Sequence, residues 1–141
     1  MDNIDKIIIK ELKKNSKITM KELGEIVHLS GQATSTRVLK LEDSGIIEGY
    51  TININNRLYG YPVHAIIHIY TRGLSHGPYI NFINSQEDFV IHNYKISGDN
   101  CYLLECQFPS TDIMDEFLVQ LNQYVNYKIN LVLKDVKNKG I

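Results

Sequence analysis

Three stretches of helical periodicity before residue 45 and a strand-helix-strand-strand-helix-strand succession after residue 61 predict an α+β chain. The architecture expected is an N-terminal winged helix-turn-helix joined to a C-terminal ferredoxin-like βαββαβ domain. A third observation, the polar run Asn55-Asn56-Arg57-Leu58-Tyr59-Gly60, marks a linker between them. The boundaries are then 1–54 for the first unit, 55–61 for the linker and 62–141 for the second.

The first helix is expected over 2–14, with Asp2 as N-cap and Ile4, Ile7, Ile8 and Leu12 at helical spacing. Asn15-Ser16 breaks it. A second, short helix is expected over 19–27, because Thr19 and Glu22 have capping-box spacing and Leu23, Ile26 and Val27 share a face. His28-Leu29-Ser30 makes a tight connection, and Ser30 caps a third helix that runs to about Ser44, with Val38 and Leu41 inward. Gly45 supplies the left-handed residue after it. The alternation from Ile46 to Ile54 around Gly49 reads as a small β-hairpin or wing.

In the second half the expected strands are 62–71, 88–97, 101–108 and 127–136, and the expected helices 76–86 and 110–123. Tyr79, Phe82 and Ile83 form the apolar face of one helix; Ile113, Phe117, Leu118 and Leu121 form that of the other, which starts at Pro109-Ser110. On strand 62–71, Val63, Ala65, Ile67 and Ile69 share a face, but the opposite face still carries Ile66 and Tyr70 between His64 and His68. Strand 101–108 likewise sets Tyr102, Leu104, Cys106 and Phe108 opposite Leu103. Helices cover one side of such a sheet, so the remaining apolar face predicts that sheets from two chains pack together.

The chain has 141 residues, 43% hydrophobic and 22% charged, a balance typical of globular proteins. Apolar runs limited to Ile7-Ile8-Ile9 and similar short stretches exclude a membrane span, and an acidic, amphipathic start is unlike a secretory signal, so a cytoplasmic protein is expected. Cys101 and Cys106 have odd spacing on one strand, which sets them on opposite faces and argues against a disulfide or shared metal. His64 and His68 are about 13 Å apart at ~3.3 Å per residue, too far to chelate one ion. No metal or cofactor is expected. The net charge of −1 is no signature of nucleic-acid binding, and the halves differ little: nine Lys/Arg against eight Asp/Glu in 1–60, six against eight in 61–141.

The third helix nevertheless opens with small, uncharged, hydrogen-bonding residues that folding alone does not favour. In a helix-turn-helix this segment enters the major groove. Gln32 can pair with adenine, Ser35 and Thr36 can donate or accept, and Ala33 or a Thr methyl can touch the thymine methyl. Arg37 and Lys40 follow at one-turn spacing as phosphate or guanine contacts, and Lys17 and Lys21 flank the free N–H groups opening the second helix. Ser30 completes this set of DNA-facing candidates. The alternative reading is a solvated helix start, with Arg37 paired to Glu42 or Asp43.

The segment "NIDKIIIKELKKNSKITMKELGEIVHLSGQATSTRVLKLEDSGIIEGYTININNRLYGYPV" resembles the N-terminal half of the Lrp/AsnC family of bacterial and archaeal transcriptional regulators. The matching features are Asp5 before an Ile-rich helix, Lys17-Ile18 before Glu22-Leu23, Leu29-Ser30, Arg37-Val38, Leu41-Glu42, Gly45-Ile46-Ile47, Tyr50 and Gly60. The βαββαβ half matches the family's effector and oligomerisation domain, so the resemblance covers essentially the whole chain. It implies a regulator that binds double-stranded DNA and acts as a homodimer or higher oligomer, tetramer or octamer, able to bend or wrap DNA in the nucleoid. It implies no enzyme.

Many members sense amino acids in a pocket near the turn joining the second and third strands, here Ser97-Gly98-Asp99-Asn100-Cys101-Tyr102. The resemblance thus makes Gly98, Asp99, Asn100, Cys101 and Tyr102 effector candidates. A glycine turn with free N–H groups beside an acid can hold an amino acid's carboxylate and ammonium, although the same composition also makes an ordinary hairpin turn. Cys101 stands where the family commonly has aspartate, which leaves Asp99 as the substitute or the protein without an effector. Gly31 replaces a frequent proline and Thr34 a usual valine, and Thr34 is expected to turn inward.

An effector-independent architectural DNA-binding protein is the nearest alternative. A ferredoxin-like enzyme of the acylphosphatase type would need an anion-cradling loop, for which the chain offers only Arg72-Gly73; an RNA-binding sheet would need a basic third strand, whereas "GDNCYLLECQF" is acidic.

Overall fold

The computed structural model describes residues 1–137. The chain divides into two compact units, Met1–Asn53 and Ile54 onward.

The first unit holds α1 (Asn3–Lys14), α2 (Met20–Val27) and α3 (Gly31–Asp43). Each start has a side-chain cap. Asp2 accepts from the Asp5 N–H at 2.9 Å while the Asp5 carboxylate reaches back to the Asp2 N–H at 3.4 Å, a full capping box. At α2 the box is altered: Thr19 Oγ1 accepts from the Glu22 N–H at 3.1 Å, but the Glu22 carboxylate accepts from the Thr19 hydroxyl instead of the backbone. Ser30 Oγ accepts from the Ala33 N–H at 3.1 Å to open α3. Ile8, Leu12, Leu23, Val27, Val38 and Leu41 form the core where the three helices meet. Ile7 and Ile26, expected inside, lie outside it, and Ile9 packs against the core in place of Ile7.

Two glycines shape this unit. Gly45 sits at φ +81°, past the C-cap Ser44, where a side chain would strain the backbone. Gly24 lies where α2 and α3 cross: a Cβ there would stand 2.5 Å from the Leu29 carbonyl oxygen and 3.0 Å from Thr34 Oγ1. His28, the C-cap of α2, takes the left-handed conformation at φ 61° that turns the chain toward α3.

No hairpin forms over residues 46–54, contrary to the alternation read from the sequence. Ile46, Tyr50, Ile52 and Ile54 are all about half exposed or more, and no strand among the described residues pairs with them. The linker also differs, because Asn55 and Gly60 cap a helical turn, α4 (Asn56–Tyr59).

The second unit is β1 (Val63–Thr71), α5 (Gly77–Asn84), β2 (Val90–Lys95), β3 (Tyr102–Phe108), α6 (Thr111–Leu121) and β4 (Val125–Leu131). Its strands form one antiparallel sheet in the order β2-β3-β1-β4. Ala65, Ile67, Ile69, Leu104, Cys106 and Phe108 are fully buried on the face beneath α5 and α6, where Tyr79, Phe82, Phe117 and Leu121 meet them. β4 is displaced from the expected 127–136. It begins opposite the end of β1, with Thr71 paired to Val125, where Arg72 donates to the carbonyls of Asn122 at 2.7 Å and Val125 at 3.1 Å. It stops at Leu131, opposite Ala65, because β1 has almost no residues left to pair.

Gly24→Ala is expected to lower unfolding stability by about 1–3 kcal/mol through overpacking. Gly31→Ala, whose Cβ would lie an ordinary 3.6 Å from Lys21 Cα, is expected to be neutral or slightly stabilising. Denaturant titrations of both variants check the contrast; equal stabilities would remove the close approach at Gly24 as a constraint.

Candidate nucleic-acid interface and effector turn

α3 has one buried stripe, Thr34, Val38 and Leu41. Thr34 is fully buried, as expected, and its hydroxyl donates to the Ser30 carbonyl at 2.8 Å, so a polar side chain is accommodated where an apolar one would also fit. Gln32, Ala33, Ser35, Thr36 and Lys40 are exposed on the rest of the helix. Thr36 donates to the Gln32 carbonyl at 3.0 Å, which leaves its oxygen able to accept.

Gly31 lies against Lys21, close enough that an added Cβ would be 3.6 Å from the lysine Cα. The first turn of α2 thus adjoins the first turn of α3. Lys17, Lys21 and Lys40 are exposed, and among the described residues none of them enters an ion pair. Ser30 is exposed but spends its oxygen on the cap.

Arg37 is placed differently from the expectation of a free cation. Its Nη1 donates to both Asp2 oxygens at 2.9 and 2.8 Å and to Asp5 Oδ1 at 3.2 Å. Neither Glu42 nor Asp43 is its partner. The guanidinium beside it holds the Asp2 carboxyl below the usual carboxylate range, and the two carboxylates raise the Arg37 pKa in turn. The sequence reading gives Asp2 only as the N-cap of the first helix and Asp5 only as a feature of the family resemblance. Two acids three residues apart, both turned toward one end of α1, were the signal for a cation arriving from elsewhere.

Past α3, Tyr50 has its pKa raised by burial and then by the neighbouring Glu42 carboxylate, so the unpaired segment leans on the end of the helix. Between this segment and the end of α1 lies an open groove of about 730 Å³, floored by Ile9, Leu12 and Ile47 and edged by Lys13 and Lys17.

In the second unit, Gly98 has φ +120° and Asp99 is exposed in the turn. Asn100 Nδ2 is already donated to the Tyr102 carbonyl at 2.9 Å. Cys101 Sγ lies 3.1 Å from Thr71 Oγ1, and that hydrogen bond, the Thr71 backbone and Lys95 lower its pKa. Cys106 is buried, and burial pushes its thiol up to about 12. Tyr102 does not face the turn: its ring is 7% exposed and its hydroxyl is 2.8 Å from His76 Nδ1. Of the five effector candidates, the structure leaves Gly98 and Asp99 the most accessible, with Cys101 and Asn100 half-buried.

The sheet face away from the helices carries His64, Ile66, His68 and Tyr70 beside Leu103, Glu105 and Gln107. His64 Nε2 and Glu105 Oε2 are 2.6 Å apart, and Gln107 Oε1 is buried without a partner among the described residues. No group of three or more His, Cys, Asp or Glu among the described residues is arranged to hold a metal ion, and no described helix is long and apolar enough to cross a membrane. Arg72, spent on carbonyls of the β4 approach, offers no anion cradle for acylphosphatase chemistry.

Residues 1–48 match the winged helix-turn-helix DNA-binding family. Along 133 residues the chain is 52% identical to the HTH-type transcriptional regulator LrpA of Bacillus subtilis (strain 168), covering 94% of this chain and 98% of that protein. The solved structure of B. subtilis LrpC superposes with a TM-score of 0.92 at 29% identity, covering 99% of both chains. A transcriptional regulator from Neisseria meningitidis, solved as a complex with L-Met, shares the fold with a TM-score of 0.89 at 24% identity over 98% of this chain and 93% of that one. Three capped helices in the matched N-terminal segment, an antiparallel β2-β3-β1-β4 sheet and this end-to-end similarity together show that the chain belongs to the Lrp/AsnC family of DNA-binding, HTH-type transcriptional regulators.

Proposed function

We propose that this regulator reads its operator with Gln32, Ala33, Ser35 and Thr36 in the major groove, and that Lys17, Lys21, Lys40 and the Ser30 helix start meet the phosphate backbone. The observation that carries this reading is the division of α3: Thr34, Val38 and Leu41 face the core, while small hydrogen-bonding side chains occupy the outside. Small residues let a helix approach base edges closely, and lysines supply the sequence-independent part of the affinity. A DNA partner places the protein in the cytoplasm, in association with the nucleoid. Gln32→Ala is expected to change the base preferred at one or two positions in sites selected from a random DNA pool, with non-specific affinity retained. Selection of an unchanged sequence would sink the assignment.

The working form is a homodimer or a higher oligomer, tetramer or octamer, built through the second unit. The support is the uncovered sheet face, which carries Ile66, Tyr70 and Leu103 and, opposite His64, a Gln107 oxygen buried without a partner among the described residues. An amino acid is the effector class to test first, because a regulator of this fold was solved with L-Met and because Gly98 and Asp99 offer backbone N–H groups and a carboxylate. Sedimentation at micromolar concentration, with and without each standard amino acid, tests both points. A dimer or larger assembly whose size or melting temperature shifts with one amino acid is expected. A strict monomer would overturn the sheet-to-sheet reading. An assembly indifferent to every amino acid would overturn the effector reading in favour of an architectural role.

A further inference from the structure

α3 is held along one stripe by Thr34, Val38 and Leu41, and a helix packed along a single stripe can still roll about it. Arg37 lies roughly 60° around the helix from that stripe, at about 100° per residue. From there it reaches across 35 residues of sequence to Asp2 and across 32 to Asp5. The acidic side of this contact is built before Arg37 arrives. Asp2 and Asp5 are locked to each other by the capping box that starts α1, so their carboxylates are held in place by backbone N–H groups and not by the arginine alone. The side chains of Arg37 and Asp5 are 31% and 19% exposed, and that of Asp2 is 56% exposed.

We propose that Asp2, Asp5 and Arg37 form a clamp that sets the roll of the recognition helix, so that Arg37 is a positioning residue for DNA reading and not a DNA contact. The proposal rests on the reading of α3 as the recognition helix. Two negative charges around one positive charge also mean that the cluster adds no cationic attraction to the DNA-facing side. A phosphate that took Arg37 Nη1 would have to displace three hydrogen bonds to carboxylates. With the clamp closed, Gln32 and Thr36 are directed away from the core stripe, roughly opposite it; with the clamp open, helix roll moves these side chains out of register with base edges while the lysines keep their contacts.

The clamp makes a prediction opposite in sign to that of a phosphate contact. The full chain is compared with Asp5→Asn, Asp2→Asn and Arg37→Gln on a site selected from a random pool and on random DNA, across a range of salt concentrations, with melting curves run in parallel. The asparagine variants keep a capping oxygen and remove only the charge, so they remain folded. The expected result is a several-fold fall in the ratio of selected-site to random-DNA affinity in all three variants, with the salt dependence unchanged. An Asp5→Asn, Arg37→Gln double variant is expected to be no worse than either single one, because both break the same contact. A helix stabiliser with no positioning role would lower melting temperature and leave that ratio intact. If Arg37 instead meets a phosphate, Arg37→Gln lowers the salt slope by about 1 and Asp5→Asn tightens binding by releasing the guanidinium, which would overturn the proposal. Gln32→Ala, measured alongside, separates the two levels. An unaltered Gln32→Ala preference removes the recognition-helix reading itself, whereas an altered preference with unchanged aspartate variants removes only the clamp.

Discussion

The Cα of Gly24 meets the start of α3 with no side chain between them, and the geometry of the DNA-binding unit depends on that contact. Any larger residue would press on the Leu29 carbonyl and the Thr34 hydroxyl. Three local features follow from it. The His28 backbone adopts the left-handed turn, Ser30 caps α3 immediately afterwards, and Thr34 faces inward with its hydroxyl satisfied by the Ser30 carbonyl. With Thr34 turned in, helical periodicity turns Gln32, Ser35 and Thr36 out. The seating of the inner stripe thus selects which side chains of α3 face outward.

The same economy governs the second unit. Its two helices lie on one face of a four-stranded sheet, and fully buried β1 and β3 residues alternate with half-buried ones on the other. That second face mixes apolar residues with a His64–Glu105 pair and an unsatisfied amide oxygen, a composition suited to contact with another protein surface more than to water.

Much of this was legible in the sequence because it depends on local periodicity. The caps Asp2, Thr19 and Ser30 and the glycine at 45 follow from patterns spanning a few residues, and the structure has them where those patterns lie; the inward Thr34 follows from the family resemblance, and it is buried. The features that were not legible depend on partners distant in sequence. Arg37 has acids close by at Glu42 and Asp43, yet it chooses Asp2 and Asp5 because the packing of α1 against α3 brings that helix start to it. β4 is shifted because β1 sets how far pairing can extend, and Tyr102 turns away from the glycine turn before β3 because strand alternation directs it toward His76. The segment 46–54 has the alternation of a strand but has no strand to pair with among the described residues.

The central claim is that the outer face of α3 meets DNA base edges while its inner stripe stays in the core. Amide and side-chain chemical-shift mapping of the full-length protein, titrated with a selected DNA site and with random DNA, tests it directly. The account predicts shifts at Gln32, Ala33, Ser35 and Thr36 that are larger with the selected site, together with lysine shifts at residues 17, 21 and 40 that are similar for both DNAs. Shifts concentrated elsewhere on the chain, with α3 unchanged by either DNA, would contradict it.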